Sequence, residues 1–139
     1  RLPINGLFEM SEIGRQLQVG QWDGSRWSPL GAGLDNTVRV LTSYQGDLVA
    51  GGHFKRSGET ETPHVARWDG TSWHPLGGGT NKIVRALWNW EGDLIAGGLF
   101  TRAGGIRATY LAAWDGEAWG NPFVGPLADP KEPGEQADP

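Results

Sequence analysis

Short runs of apolar residues, each closed by a glycine-bearing turn, follow one another along the chain and never lengthen into a helical period. Thr37–Tyr44 carries Val38, Val40 and Leu41 and ends at Gln45-Gly46. A β-branched run bounded by a turn signal predicts a strand. Asp47–Phe54 continues as a strand of small residues through Leu48, Val49 and Ala50. A variable loop over Lys55–Pro63 leads to a third strand at about His64–Trp68, Asp69-Gly70-Thr71-Ser72 turns the chain, and a fourth strand spans Trp73–Leu76. Asp-Gly favours a hairpin because glycine accepts positive φ at no steric cost and aspartate tolerates it.

This four-strand unit recurs. Trp22-Asp23-Gly24, Trp68-Asp69-Gly70 and Trp114-Asp115-Gly116 lie 46 residues apart, and Trp27, Trp73 and Trp119 follow at one offset. Gly46-Asp47-Leu48 returns as Gly92-Asp93-Leu94, and Ala50-Gly51-Gly52 as Ala96-Gly97-Gly98. Val38-Arg39 and Leu41 match Val84-Arg85 and Leu87. Leu2, Gly6 and Phe8 fall 46 before Leu48, Gly52 and Phe54, so a gapless frame puts the second strand of the first copy there. Four short antiparallel strands per repeat of this length describe a propeller blade; leucine-rich, ankyrin and tetratricopeptide repeats have shorter periods and use helices. The expected fold is all-β: a partial β-propeller of about three four-stranded antiparallel blades, with a degraded first blade over 1–36, a second over 37–81 and a third over 82–119. The stretch 120–139 holds five of the nine prolines and reads as a linker or tail.

Composition agrees with this and narrows the partners. Of 139 residues 23 are glycine and 8 tryptophan, a turn-rich chain with large flat side chains to bury. The net charge is −4 without a basic cluster, which argues against a nucleic-acid surface. No apolar run of about 18 residues predicts membrane insertion. The absence of cysteine excludes disulfides, thiolate catalysis and thiolate metal sites. An opening at Arg1 rather than Met leads us to expect a cut or processed piece.

The run Val65-Ala66-Arg67-Trp68-Asp69-Gly70-Thr71-Ser72-Trp73, with Pro75-Leu76-Gly77, Gly92-Asp93-Leu94 and Ala96-Gly97-Gly98-Leu99-Phe100, resembles kelch-type propeller repeats. It is most similar to the tandem WDG-type repeats of secreted bacterial proteins and fungal cell-cortex polarity markers. The resemblance covers roughly residues 1–119 and implies an extracellular or cell-surface setting. It implies no activity, since propellers host many functions. Closed propellers use about four to eight blades, so three copies are expected to be part of a longer propeller or to build a ring by oligomerisation.

For the paired tryptophans and the doublets Gly51-Gly52 and Gly97-Gly98 the expectation is packing, with the tryptophan rings approaching the glycines. Asp23, Asp69 and Asp115 are expected as turn formers; one carboxylate supplies too few oxygens for calcium, and no D-x-D-x-D-G run is present. His53, His64 and His74 fall outside the repeat pattern and form no metal constellation. Nucleophile-elbow, phosphate-loop and paired-carboxylate signatures are missing, so no catalytic residue and no cofactor are expected. Arg39 and Arg85, near the start of each first strand, either recognise an anion or pair with Asp47, Asp93 or a turn aspartate; the ion pair is the expectation. Trp88 and Trp90 replace Thr42 and Tyr44 on one strand face, where they either stack on a sugar or fill space between blades; burial is the expectation. The function this supports is a non-catalytic scaffold or protein-binding module, with specificity in the loops 55–63 and 101–109. Its partners would be other blades, of the same chain or of parent segments, and a protein or glycan. A lectin-like propeller and the non-catalytic part of a larger secreted enzyme are the alternatives.

Overall fold

The computed structural model describes residues 7–13, 16–22 and 24–122. Their regular elements are all strands, in three larger antiparallel sheets and two short hairpins, with no helix among the described residues. The first sheet orders β1 (Leu7–Ile13), β2 (Gln16–Trp22) and β3 (Trp27–Pro29) in sequence. The second is built of β4 (Val38–Tyr44), β5 (Asp47–Gly52), β8 (Val65–Trp68) and β9 (Trp73–Pro75), with β6 (Arg56–Ser57) and β7 (Thr60–Glu61) forming a side hairpin. The third repeats this as β10 (Val84–Trp90), β11 (Asp93–Gly98), β14 (Leu111–Trp114) and β15 (Trp119–Gly120), with β12 (Arg102–Ala103) and β13 (Ile106–Arg107) at its side.

The turns form for the reasons their residues dictate. Gln45-Gly46 and Glu91-Gly92 hold φ of 51° and 88°, and 51° and 89°, both left-handed as a two-residue turn between right-twisting strands requires. The segments expected as variable loops are ordered: the Asp35 carboxylate accepts from the Lys55 and Arg56 amides at 2.7 and 3.1 Å, and Asn81 does the same for Thr101 and Arg102 at 2.9 and 3.0 Å.

The first sheet departs from the gapless frame. Leu7 pairs with Trp22 as Leu48 pairs with Trp68, so Leu7 rather than Leu2 takes the place of Leu48, and β1 runs on to Ile13. On that pairing Leu7 and Trp22 are 15 residues apart where Leu48 and Trp68 are 20 apart, so the connecting stretch is shorter. Its described residues form no side hairpin like those that turn at Gly58 and Gly104, with φ of 58° and 61°, and pair directly with β2.

The sheets stack in chain order, with an apolar cluster between each consecutive pair. Val19, Leu30, Leu34, Leu48, Ala50, Phe54, Trp68 and Trp73 meet between the first and second. Tyr44, Val49, Leu76, Leu87, Leu94, Phe100 and Trp119 meet between the second and third. Along β5 the alternation of a strand serves both clusters: Leu48 and Ala50 face back, and Val49 faces forward. Gln18 adds a polar tie, its side chain bonding Leu34 O, Leu34 N and Asn36 O at 2.9, 3.2 and 3.0 Å.

Gly51 lies under this forward face. A Cβ there would sit 2.6 Å from Cγ1 of Val84 in the third sheet, whereas one on Gly97, its counterpart, would meet nothing closer than 3.7 Å. Gly51→Ala is therefore expected to lower stability by about 1–3 kcal/mol, as overpacking does. Gly97→Ala, at a φ outside the left-handed region, should be neutral or slightly stabilising. Thermal melts followed by circular dichroism compare the two, and equal effects would refute this account.

Candidate functional site

Each hairpin that ends a sheet carries a tryptophan on both strands in direct register: Trp22 with Trp27, Trp68 with Trp73, Trp114 with Trp119. The three pairs share one geometry, centroids 5.4 Å apart and planes tilted by 52°, 57° and 57°. The second ring of a pair reaches into the preceding sheet. Trp73 Nε1 donates to Leu30 O at 3.3 Å, and Trp119 Nε1 donates to Leu76 O at 2.9 Å. The residue after each leucine is glycine, at φ 56° and 59°. A Cβ on Gly31 would come within 2.8 Å of the Trp68 ring, and one on Gly77 would collide with Trp114 and Trp119. Leu-Gly is thus a socket and the tryptophan pair its plug.

The rings were expected against the glycine doublets, and the structure corrects this. Gly52 and Gly98 oppose a β-bulge in their own sheet, where the ladder shifts between Val38 and Val40 and between Val84 and Ala86. A Cβ on either would strike the backbone of Thr37 or Ile83. Arg39 and Arg85 are the extra residues of these bulges, exposed at the sheet edge. The expected pairing of Arg39 with aspartate is also corrected: Arg39 Nε donates to His53 Nε2 at 3.0 Å, and Asp47 is taken by Arg67 at 3.4 Å. The bulge turns Arg39 aside, while Arg67 lies beside Asp47's own strand.

Of the turn aspartates Asp69 and Asp115 are described, and Asp23 lies outside the described residues. Asp69 Oδ1 accepts from the Thr71 and Ser72 amides at 2.8 and 2.9 Å, and Asp115 Oδ1 from those of Glu117 and Ala118 at 2.8 Å. The amides of Ser72 and Thr71, then the His74 ring at 2.6 Å, hold the Asp69 carboxyl well below the usual carboxylate range. The amides of Ala118 and Glu117 lower Asp115 likewise. His64 is buried at φ 69°, and burial lowers its pKa, with Lys55 and His53 adding to the effect. It lines a cleft of about 490 Å³ between the side hairpins with Lys55, Arg56 and Arg102.

Trp88 and Trp90 are not buried: they are 42% and 57% exposed, and with Leu99 and Tyr110 they are the large exposed apolar side chains among the described residues. All four belong to the third repeat. The alternation that aims Leu87 at the second sheet aims Trp88 and Trp90 outward. In the second sheet Tyr44 holds the place of Trp90, buried, with its hydroxyl donating to Gly92 O of the third sheet at 2.7 Å. Among the described residues no further sheet lies over the third. Trp90, Ile95, Ala113 and Trp119 line a cavity of about 360 Å³ together with Asp93 and Asp115. Its two carboxylates escaped a reading based on repeat matches; the signal for them was where the copies differ, Arg67 against Ala113 and His74 against Gly120.

Comparison of the chain with protein-family models, with curated proteins and with solved structures finds no match. The site therefore rests on its own geometry.

The depressed carboxyls fix a pH dependence. Folding favours the ionised form of Asp69, so its stabilisation is fully present above the ordinary value of 3.8 and drains away as pH falls below it. Asp69→Ala should lower Tm at pH 7, Asp69→Asn less because an amide oxygen still accepts from the turn, and both losses should shrink toward pH 2. Melts of the three proteins across that range provide the check; a loss that grows on acidification would refute it.

Proposed function

We propose that the chain is an open arc of propeller-type blades, of the kelch-like kind its repeats resemble, and that it works as a non-catalytic scaffold or protein-binding module. What carries this reading is the repeated plug and socket: the same indole-to-carbonyl bond joins second sheet to first and third to second, 43 residues apart both times. Stacked four-stranded units of fixed register are how blades are built. The binding face is the outer side of the third sheet, where Trp88 and Trp90 lie open to solvent. The resemblance of its repeats to secreted and cell-surface proteins supports a setting outside the cell or at its surface.

The two ends of the arc do not complement one another by the rule that joins its inner sheets. Trp22 and Trp27 form a half-buried plug at one end. At the other, Pro122 and Phe123 stand where the frame would require leucine and glycine, so the sequence provides no socket for a second copy. Any further blades on the Trp22 side come from segments other than a second copy of this one.

Carbohydrate binding is the second reading, favoured by the exposure of Trp88 and Trp90, since exposed rings on one strand face suit the apolar face of a sugar. Its test is fluorescence quenching by neutral oligosaccharides that Trp88→Ala abolishes. For the open arc, light scattering after size exclusion should give a 15.0 kDa monomer at every concentration. A dimer or trimer that survives dilution would overturn the reading and make the ring an assembly of copies.

A further inference from the structure

The cavity lined by Trp90 differs from its counterpart in the second sheet in one consistent way. In the second sheet each repeated carboxylate has a basic partner of its own: Asp47 Oδ2 meets Arg67 at 3.4 Å, and Asp69 Oδ2 meets His74 at 2.6 Å. The third sheet keeps both acids, as Asp93 and Asp115, and has lost both bases, to Ala113 and Gly120. The equivalent place in the second sheet is also a cavity, of about 480 Å³, with Arg67 lining it beside Asp47; in the third sheet Ala113 and Gly120 line the cavity instead. No basic side chain lines it among the described residues, and Trp90 lines it where the second sheet has a tyrosine.

We propose that this cavity binds a compact organic cation, a guanidinium or alkylammonium group, between Asp93 and Asp115 and against the ring of Trp90. Arg67 on Asp47 is the internal precedent: in the second sheet the protein supplies a guanidinium to this carboxylate, and in the third it leaves the position to a ligand. The carboxylate of Asp115 is already oriented, because its Oδ1 is held by two turn amides at 2.8 Å, leaving Oδ2, the atom His74 engages on Asp69, to face a ligand. Tryptophan is the aromatic side chain that attracts a cation most strongly. A bare calcium ion is a poor occupant, since it wants about six to eight oxygens and the described residues gather no group of three metal-ligating side chains. Another sheet of the same repeat is also a poor occupant. The ring of Trp88 already lies over Gly97, 3.7 Å from where a Cβ would be, the place that Val84 takes over Gly51.

The cation can be a free small molecule or a basic side chain of a partner chain, and the test separates the two. The full chain is titrated with L-argininamide and, separately, with the capped peptide acetyl-Gly-Arg-Gly-amide, following the indole N–H resonance of Trp90, assigned by its loss in Trp90→Phe. Saturable shifts with both are expected. Equal affinity assigns a free cation, and tighter binding of the peptide by about tenfold or more, worth about 1.4 kcal/mol, assigns a partner's side chain. Asp93→Asn should weaken binding about fivefold, the upper range for an exposed ion pair, and added salt should weaken it further. Ala113→Arg should abolish binding without loss of Tm, because the new guanidinium docks on Asp93 as Arg67 does on Asp47. Absence of saturable shifts, or binding untouched by Asp93→Asn and Ala113→Arg, would overturn the proposal. The site rests on the outer face being uncovered and not on the blade geometry. A chain that scatters as a stable dimer yet still binds would sink the open arc alone, and a monomer that fails to bind would sink the site alone.

Discussion

A tryptophan ring laid on a residue without a Cβ is the contact on which the stack of sheets depends. Each sheet is thin, and an isolated one would leave an apolar face in water. The indole supplies a large apolar area and one donor, and the preceding sheet answers with a Leu30 or Leu76 carbonyl and a glycine at positive φ. Both halves are needed. A side chain on Gly77 would hold Trp114 and Trp119 off and leave the Trp119 N–H without its acceptor. The aspartate turn has its place in the same economy, since Asp69 and Asp115 tie the loop amides between the two tilted rings of the second and third pairs.

Much of this was legible in the order of residues. Trp-Asp-Gly followed by a second tryptophan spells a hairpin, and Gln45-Gly46 and Glu91-Gly92 spell another, because these turns are decided by local backbone sterics. The 46-residue recurrence then carried the strand order of the second and third sheets. What stayed hidden depends on contacts between segments distant in sequence. The bulge at Arg39 and Arg85 is a property of register against Gly52 and Gly98, so neither the direction of the arginines nor the crowding of the glycines follows from composition. The exposure of Trp88 and Trp90 turns on whether another sheet covers them, which no local pattern encodes. In the first sheet the gapless match misled, because the stretch from Leu7 to Trp22 is shorter than the one from Leu48 to Trp68 and pairs directly with β2.

The candidate cavity shows the reverse relation between repeat and function. Likeness between copies marked the packing residues, and these account for the fold. Difference between copies marked the site: two bases deleted, two acids kept, a tyrosine exchanged for a tryptophan. Such a difference carries meaning only once the Asp47–Arg67 and Asp69–His74 pairs are seen to be pairs, and that knowledge comes from the structure.

The constant reach of the plug has a kinetic consequence. Because every indole bond spans 43 residues, the loop closed in docking one sheet on the last is the same size at each step, and its entropic cost does not grow as sheets are added. Contact order, the mean separation of touching residues relative to chain length, falls as such a stack lengthens, so a longer array of these sheets need fold no more slowly per docking step than this one. Growth can then proceed by adding one sheet at a time to an existing end, as repeat arrays do.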